Sequence, residues 1–202
     1  MSDRTLIRRE VDALVLETQA RIKLVFGWTA LLWVVEIADV LLAGRLDGFG
    51  VHPRSAAGLV GILFAPFLHA GFGHLLANTV PLLVMGFLAC ARKRMDFYVV
   101  ALAGGLWAGL GAWIFGAPGT VHIGASGIVF AFFGFLLGRG FWERKPGTVL
   151  LSLLVGATFG GMLWGLLPLV SPGISWQSHL FGFIGGLLTA RTLGSRLRGR
   201  RR

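Results

Sequence analysis

The 202-residue chain has few of the residues that keep a protein soluble: only 14% are charged, nine of them are acidic, and tyrosine and cysteine each occur once. The single cysteine, Cys90, excludes an internal disulfide and gives no cysteine-based metal motif. In place of charge the chain has 55% hydrophobic residues and a mean hydropathy of +0.75. This composition excludes an ordinary soluble domain and predicts a protein embedded in the lipid bilayer.

A membrane-spanning helix needs about 20 mostly apolar residues, and the sequence has six such segments. They lie near residues 24–43, 70–90, 97–116, 122–140, 148–169 and 176–194. With six crossings, seventeen Lys and Arg residues fall on one side and only two, Arg45 and Arg54, on the other. The positive-inside rule therefore predicts an all-α, multi-pass protein of the cell membrane with both termini in the cytoplasm. Because topology explains the charge of +10, we expect no nucleic-acid partner.

We predict three parts along the chain. Residues 1–23 form a cytoplasmic tail, residues 24–194 the six-helix core, and residues 195–202 a basic cytoplasmic tail. The first loop, at about 44–68, is the longest connection and is apolar enough to lie on the membrane. Glu36 and Asp39 are unusual at lipid depth, and the sequence offers them no clear partner.

Polar residues on three of the predicted helices share one depth. Ser126, His179 and Asn78 each precede a cytoplasmic arginine by 12 to 14 residues, which places them about 10 Å below the outer surface. His74 lies one turn from Asn78 on the same helix face. A lone serine in a membrane helix usually bonds its own helix, and a lone His or Asn often joins two helices. Four such residues in one layer favour a functional site.

Glycines on two helices predict how this layer is brought together. Gly127, Gly134 and Gly138 can pack closely against Gly182 and Gly186, which would bring Ser126 near His179. Gly124 and Gly127 also leave the backbone N–H groups around the serine open at a helix N-terminus, where a negative charge is favoured.

Three motifs of the chain resemble those of rhomboid intramembrane serine proteases. Gly124-Ala-Ser126-Gly127 is similar to the family's GxSG, and His69-x4-His74-x3-Asn78 matches its HxxxxHxxxN. Ser178-His179-Leu-Phe-Gly182-Phe-Ile-Gly-Gly186 is similar to its AHxxGxxxG, with Ser in place of Ala. The three motifs occur in order on the second, fourth and sixth predicted helices, so the resemblance covers residues 24–194 and implies a six-helix rhomboid-like bundle.

The resemblance implies a role for each matching residue. Ser126 would be the nucleophile and His179 its general base. His74, Asn78 and the N–H of Ser126 would form the oxyanion hole. His69 would support the first loop, and His52 and His122 would be exposed polar residues. The family implies transmembrane protein substrates, no cofactor and no metal.

The sequence departs from the family pattern in two ways. Phe130 stands where a tyrosine often stacks on the catalytic histidine, so the aromatic face is kept and the hydroxyl is lost. Val60 and Gly61 align with the family's Trp-Arg pair, which leaves the anchoring of the first loop unexplained.

Three other functions compete with a protease. A catalytically silent rhomboid-like binder would share the fold but would normally lack the serine or the histidine. A metal site or transporter could use His69, His74 and His179, but it leaves the serine and its glycines unexplained. A basic membrane-surface scaffold would explain only the charge.

For substrate entry, the moving parts would be the fifth helix, with Gly156, Gly160, Gly161 and Gly165, and the 167–173 loop. Packing would explain these glycines almost equally well. The sequence indicates no oligomeric state.

Overall fold

The computed structural model describes residues 3–168 and 173–199, and this part of the chain is almost entirely helical. Its helices are α1 Asp3–Leu41, α2 Ala56–Phe64, α3 Phe72–Cys90, α4 Arg94–Phe115, α5 Ser126–Glu143, α6 Pro146–Phe159 and α7 Trp176–Gly199. Short 3₁₀ segments cover Leu46–Phe49, Ala65–Phe67 and Gly160–Leu166, the last continuing α6. The 169–172 part of the loop proposed to move, and the end of the basic tail, lie outside the described residues.

Four helical segments are long and apolar enough to cross a membrane by length and composition: Leu6–Leu41, Phe72–Cys90, Arg94–Phe115 and Pro146–Leu166. These correspond to the first, second, third and fifth predicted spans. The fourth and sixth correspond to α5 and α7, which are not among the four. Both of these helices carry several glycines and charged residues, and α5 is only 18 residues long.

The buried centre of the bundle is α5, which packs against α7, α6, α4 and α3. Thirteen of its 18 residues are buried, including four phenylalanines, so it is apolar on nearly every face. The predicted glycine packing against α7 is confirmed. A Cβ on Gly182 would meet the Gly127 carbonyl, and one on Gly186 would meet the Ala131 carbonyl. The two backbones therefore approach so closely that only hydrogen fits between them.

Two helices begin at other residues than the predicted spans. The first begins at Asp3, so the predicted tail and the first span form one continuous helix. The fourth begins at Ser126 rather than 122. The residues before Ser126 are extended because His122 forms an isolated antiparallel bridge with Val51. This tertiary pairing cannot be read from local apolar periodicity.

The first loop is folded and docked, although it lacks the family's Trp-Arg pair. The Ser55 side chain caps the N-terminus of α2, and the Trp113 indole N–H of α4 donates to the Ser55 carbonyl at 2.8 Å. Arg54 adds a backbone bond to Trp113 and a side-chain bond to the Ile114 carbonyl. At Gly61, a Cβ would meet the Gly50 carbonyl, so this glycine lets α2 lie directly on the preceding strand-like segment. An arginine and a tryptophan thus anchor the loop from other positions.

Buried charges sit at the ends of the helices. Asp39 accepts the Leu46 N–H and so fixes the start of the first loop, which supplies the partner that the sequence did not reveal. Glu36 is also buried, and one of its carboxylate oxygens has no hydrogen-bond partner among the residues that the structure describes. Arg139, the arginine that follows Ser126 by 13 residues, lies within α5, where it is buried and paired with Glu143 at 2.8 Å.

Candidate functional site

The site is built around the first residue of α5, Ser126. The loop before it can reach this position because Gly124 adopts φ +120°, a conformation that other residues rarely adopt. A Cβ on Gly124 would also lie 2.7 Å from Cε1 of His74. Position 124 therefore requires glycine for two reasons, the backbone conformation of the turn and the close contact with His74.

The N-terminus of α5 presents unfilled hydrogen-bond donors. The Ala125 N–H donates to Nε2 of His69 at 3.2 Å, so His69 holds the loop before the serine. The next three N–H groups, of Ser126, Gly127 and Ile128, have no acceptor among the described residues. Open N–H groups and the positive end of the helix dipole make this a place where a negatively charged oxygen is stabilised.

His179, on α7, is held in one orientation by two contacts. Its ring stacks on Phe130 with centroids 4.2 Å apart and planes 15° apart. Its Nδ1 lies 3.0 Å from the carbonyl oxygen of Gly165. Because a carbonyl can only accept, Nδ1 carries the proton, and Nε2 of the neutral ring is left as a proton acceptor. The ring is therefore oriented for use as a base at Nε2.

The packing of α5 on α7 brings the serine and the histidine to one interface. A Cβ on Gly127 would lie 3.5 Å from the Ser178 carbonyl oxygen. Ser126 directly precedes Gly127 in the chain, and His179 directly follows Ser178. No hydrogen bond joins their side chains, and the Ser126 hydroxyl has no partner within the described ranges.

The two α3 residues of the candidate site differ in their contacts. His74 faces the serine loop through Gly124, and its ring lies 5.2 Å from that of His69. Asn78 is buried one turn further along, and its side-chain amide donates to the His74 carbonyl at 3.1 Å. One of its two N–H bonds is therefore used within its own helix, and the second is left for another acceptor.

A small cavity of about 20 Å³ adjoins this group, lined in part by Gly124, Gly127 and Ser178. That volume accommodates about one water molecule.

His122 was expected to be an exposed polar residue, and this is wrong. It is half-buried, and its Nδ1 lies 2.7 Å from the Ser175 hydroxyl, which in turn donates to Ser178 at 2.8 Å. Burial lowers the pKa of His122, so the neutral ring can accept one hydrogen bond and donate another. His122 thus connects the loop before Ser126 to the residue that precedes α7.

His52, also expected to be exposed, is likewise half-buried, and its ring nitrogen contacts the Gly48 carbonyl.

The sequence pattern does not indicate two residues that contact the site, Gly165 and Ser175. By residue type Gly165 is only a hinge candidate, but its carbonyl fixes the tautomer of His179. A backbone carbonyl leaves no trace in a side-chain motif, so the role of Gly165 becomes visible only in the folded 160–166 segment. Within residues 3–168 and 173–199, no group of three or more His, Cys, Asp or Glu side chains could hold a metal ion.

A sequence model of the Rhomboid domain matches residues 56–196, which is more than two thirds of the chain. The chain belongs to the rhomboid family. The match contains the α5 serine, the α7 histidine and the α3 residues, and it includes part of the docked first loop. The rhomboid assignment and the four apolar helices identify a multi-pass membrane protein.

Relatives of this rhomboid protein occur in several bacteria. An uncharacterised protein of Mycobacterium tuberculosis is 40% identical over 178 residues, which cover 85% of this chain and 74% of the relative. One from Mycobacterium leprae is 37% identical over 192 residues, covering 89% and 76%. A Bacillus subtilis protein named "Putative rhomboid protease YdcA" is 30% identical over 130 residues, or 60% of each chain.

Proposed function

We propose that the protein is an intramembrane serine endopeptidase of the cell membrane that cleaves transmembrane protein substrates. The observation that carries the proposal is the orientation of His179. Its Nδ1–H is held by the Gly165 carbonyl, which leaves Nε2 as the basic atom, and the neighbouring Ser178 lies against Gly127 of α5. In this proposal α5 and α7 also cross the membrane, which gives six spans and two cytoplasmic termini.

The reaction begins with attack of the Ser126 hydroxyl on the scissile carbonyl, as His179 Nε2 accepts the hydroxyl proton. The Phe130 ring and the Gly165 carbonyl keep the imidazole in place during this step. The Gly165 carbonyl also stabilises the imidazolium that forms, a role that a carboxylate plays in other serine proteases.

The developing oxyanion is bound by the Ser126 N–H, His74 and the second N–H of Asn78. The open donors at the N-terminus of α5 support this assignment, since donors fixed before the reaction stabilise the transition state without reorganisation. His179 then protonates the leaving amine, and a water activated by the same ring hydrolyses the acyl-enzyme.

Substrates are expected to have helix-breaking or small residues near the scissile bond. A carbonyl inside a regular helix is hydrogen-bonded and sterically closed to attack. Local unwinding is therefore needed before the carbonyl can reach Ser126. Water must also enter the same layer, because polar groups at this depth are tolerated only when they are buried in protein or line water.

A catalytically silent binder is the second candidate, favoured by one observation. The Ser126 hydroxyl makes no hydrogen bond to His179 within the described residues. Catalytic hydrogen bonds are often long before substrate binds and shorten in the complex, so this observation leaves the protease as the better-supported proposal.

The deciding experiment is cleavage of a model transmembrane substrate in liposomes. The natural chain is compared with Ser126→Ala, His179→Ala and Thr192→Ala, the last removing a hydroxyl that bonds only its own helix. We expect cleavage by the natural chain and Thr192→Ala and none above background by the other two. Equal cleavage by all four, or by none of them, would refute the protease proposal.

A further inference from the structure

A cleft of about 850 Å³ opens at the end of the molecule that carries the start of α4, far along the helices from Ser126. Five basic side chains surround it, from α1 and from the α3–α4 connection: Arg21, Lys23, Arg92, Lys93 and Arg94. We call this the basic cleft. Its walls are formed by three chain segments, so the positive charges converge on one space.

The acidic residues near the basic cleft neutralise only part of its charge. Glu17 pairs with both Arg21 at 3.4 Å and Arg94 at 3.3 Å, and Asp96 pairs with Arg92 at 2.7 Å. Lys23 and Lys93 have no acidic partner in the described part of the chain, and both are exposed. Glu143 also lies near Arg92, but it is paired with Arg139. With five cations opposed by Glu17 and Asp96, the cleft keeps a net excess of positive charge that a bound anion would satisfy.

An apolar groove of about 310 Å³ continues from the basic cleft along α1 and α4. Tyr98 lines both spaces. On α1, Leu24 faces the cleft and Trp28, one turn further, faces the groove. The remaining walls are apolar side chains of α2, α4 and the Ala65–Phe67 turn, among them Leu63, Phe67, Leu102 and Leu106. The cleft and the groove therefore form one amphipathic channel.

We propose that this channel binds an anionic phospholipid, with its phosphate in the basic cleft and an acyl chain in the groove. Basic pockets between membrane helices at the cytoplasmic face are typical sites for anionic lipid head groups. From Arg21 to Trp28 the helix rises about 10 Å, so the phosphate and the chain of one lipid can occupy the two parts together. A zwitterionic lipid would not offset the excess charge, and a nucleic acid or a free phosphate would leave the groove unused. The proposal rests on the membrane placement of the helices and is independent of the chemistry at Ser126.

The test uses the purified full chain in a neutral detergent. It is incubated with equal amounts of phosphatidylglycerol and phosphatidylcholine of the same chain length, and retained lipid is counted by native mass spectrometry. We expect a clear excess of bound phosphatidylglycerol. In Lys23→Gln/Lys93→Gln that binding should fall roughly tenfold or more, since each lysine near the head group contributes to anionic-lipid affinity.

Two further variants separate this site from general charge attraction. Lys145→Gln/Arg191→Gln removes the same charge from exposed residues outside the cleft and should retain phosphatidylglycerol as the natural chain does. Leu102→Trp changes an exposed groove residue and should lower retention of the long-chain lipid by narrowing the groove. Equal retention of both lipids, equal loss in the two double variants, or displacement by glycerol phosphate alone would overturn the proposal. Thermal unfolding of each variant checks that it remains folded.

Discussion

Two of the helices that contact α5, α7 and α6, are attached to it in different ways. Against α7, glycines bring backbone to backbone, and no side chain fits at Gly182 or Gly186. The α6 side, Pro146–Leu166, is mostly exposed and reaches the site through Gly165, which lies against Phe130 and His179. Ser126 and His179 are therefore held by a rigid interface, whereas the group that orients the imidazole belongs to a peripheral segment. One substitution can therefore disturb the rigid α5–α7 interface, and another can disturb the orientation of the His179 ring.

The largest effect is expected from Gly186→Ala, which breaks the rigid interface. The new Cβ would meet the Ala131 carbonyl, so α5 and α7 must separate. We expect the free energy of unfolding to fall by about 1–3 kcal/mol and cleavage to be lost. Thermal unfolding in detergent and liposome cleavage measure the two. Gly161→Ala, where a Cβ has nothing within 4 Å, is the matched control. If both variants unfold at the same temperature, the interface is not rigid.

Gly165→Ala disturbs orientation and leaves the interface intact. Its Cβ would lie 3.1 Å from Cζ of Phe130 and 3.3 Å from Nδ1 of His179, so the ring must shift. We expect kcat to fall about ten- to hundredfold, as small misplacements of a catalytic group do, with little change in unfolding temperature. The measurement is steady-state cleavage beside Gly161→Ala. An unchanged kcat would show that the fit between position 165 and the His179 ring does not control catalysis.

Phe130→Leu has a smaller expected effect because it removes only the stacked ring. An aromatic contact of this kind contributes about 0.5–1.5 kcal/mol, so we expect kcat/KM to fall roughly three- to tenfold. Phe130→Tyr keeps the ring and should remain within about twofold of the natural chain. Equal losses for leucine and tyrosine would mean that packing volume, and not stacking, is what His179 requires.

The smallest effect is expected from Gly156→Ala on the peripheral helix. A Cβ there meets only Leu137, at an ordinary 3.6 Å, and alanine favours a helix over glycine by about 0.5–1 kcal/mol. We therefore expect slightly higher stability and unchanged cleavage. If cleavage slows while stability rises, the flexibility of α6 is needed for substrate entry, and the hinge role of its glycines gains support.

Much of this arrangement could be predicted because it depends on side-chain identity. Small residues at helical spacing indicated the α5–α7 contact. Apolar length located α3, α4 and the combined segment Pro146–Leu166 within a few residues. The first loop was recognised as apolar, and many of its large side chains are exposed, including Phe49, Leu59, Leu63 and Phe64.

What could not be predicted depends on the backbone or on distant pairing. Gly165 acts through its backbone carbonyl, which every residue has, so no sequence motif can indicate this role. The start of α5 is displaced by the Val51–His122 bridge, which joins residues about 70 positions apart. Arg139 follows Ser126 as a charged residue at the end of the fourth predicted span, but α5 continues past it to Glu143, which neutralises it inside the bundle one turn further on. At Gly165 and at the start of α5, tertiary contacts override the local sequence pattern.

The central claim is that the orientation of His179 makes Ser126 a nucleophile. Its most direct test is the rate at which a fluorophosphonate labels the natural chain, with the modified residue located by mass spectrometry. We predict a single adduct on Ser126 and a labelling rate at least about a hundredfold lower in His179→Ala, the usual contribution of a general base. Labelling elsewhere, or equal rates in the two chains, would contradict the claim.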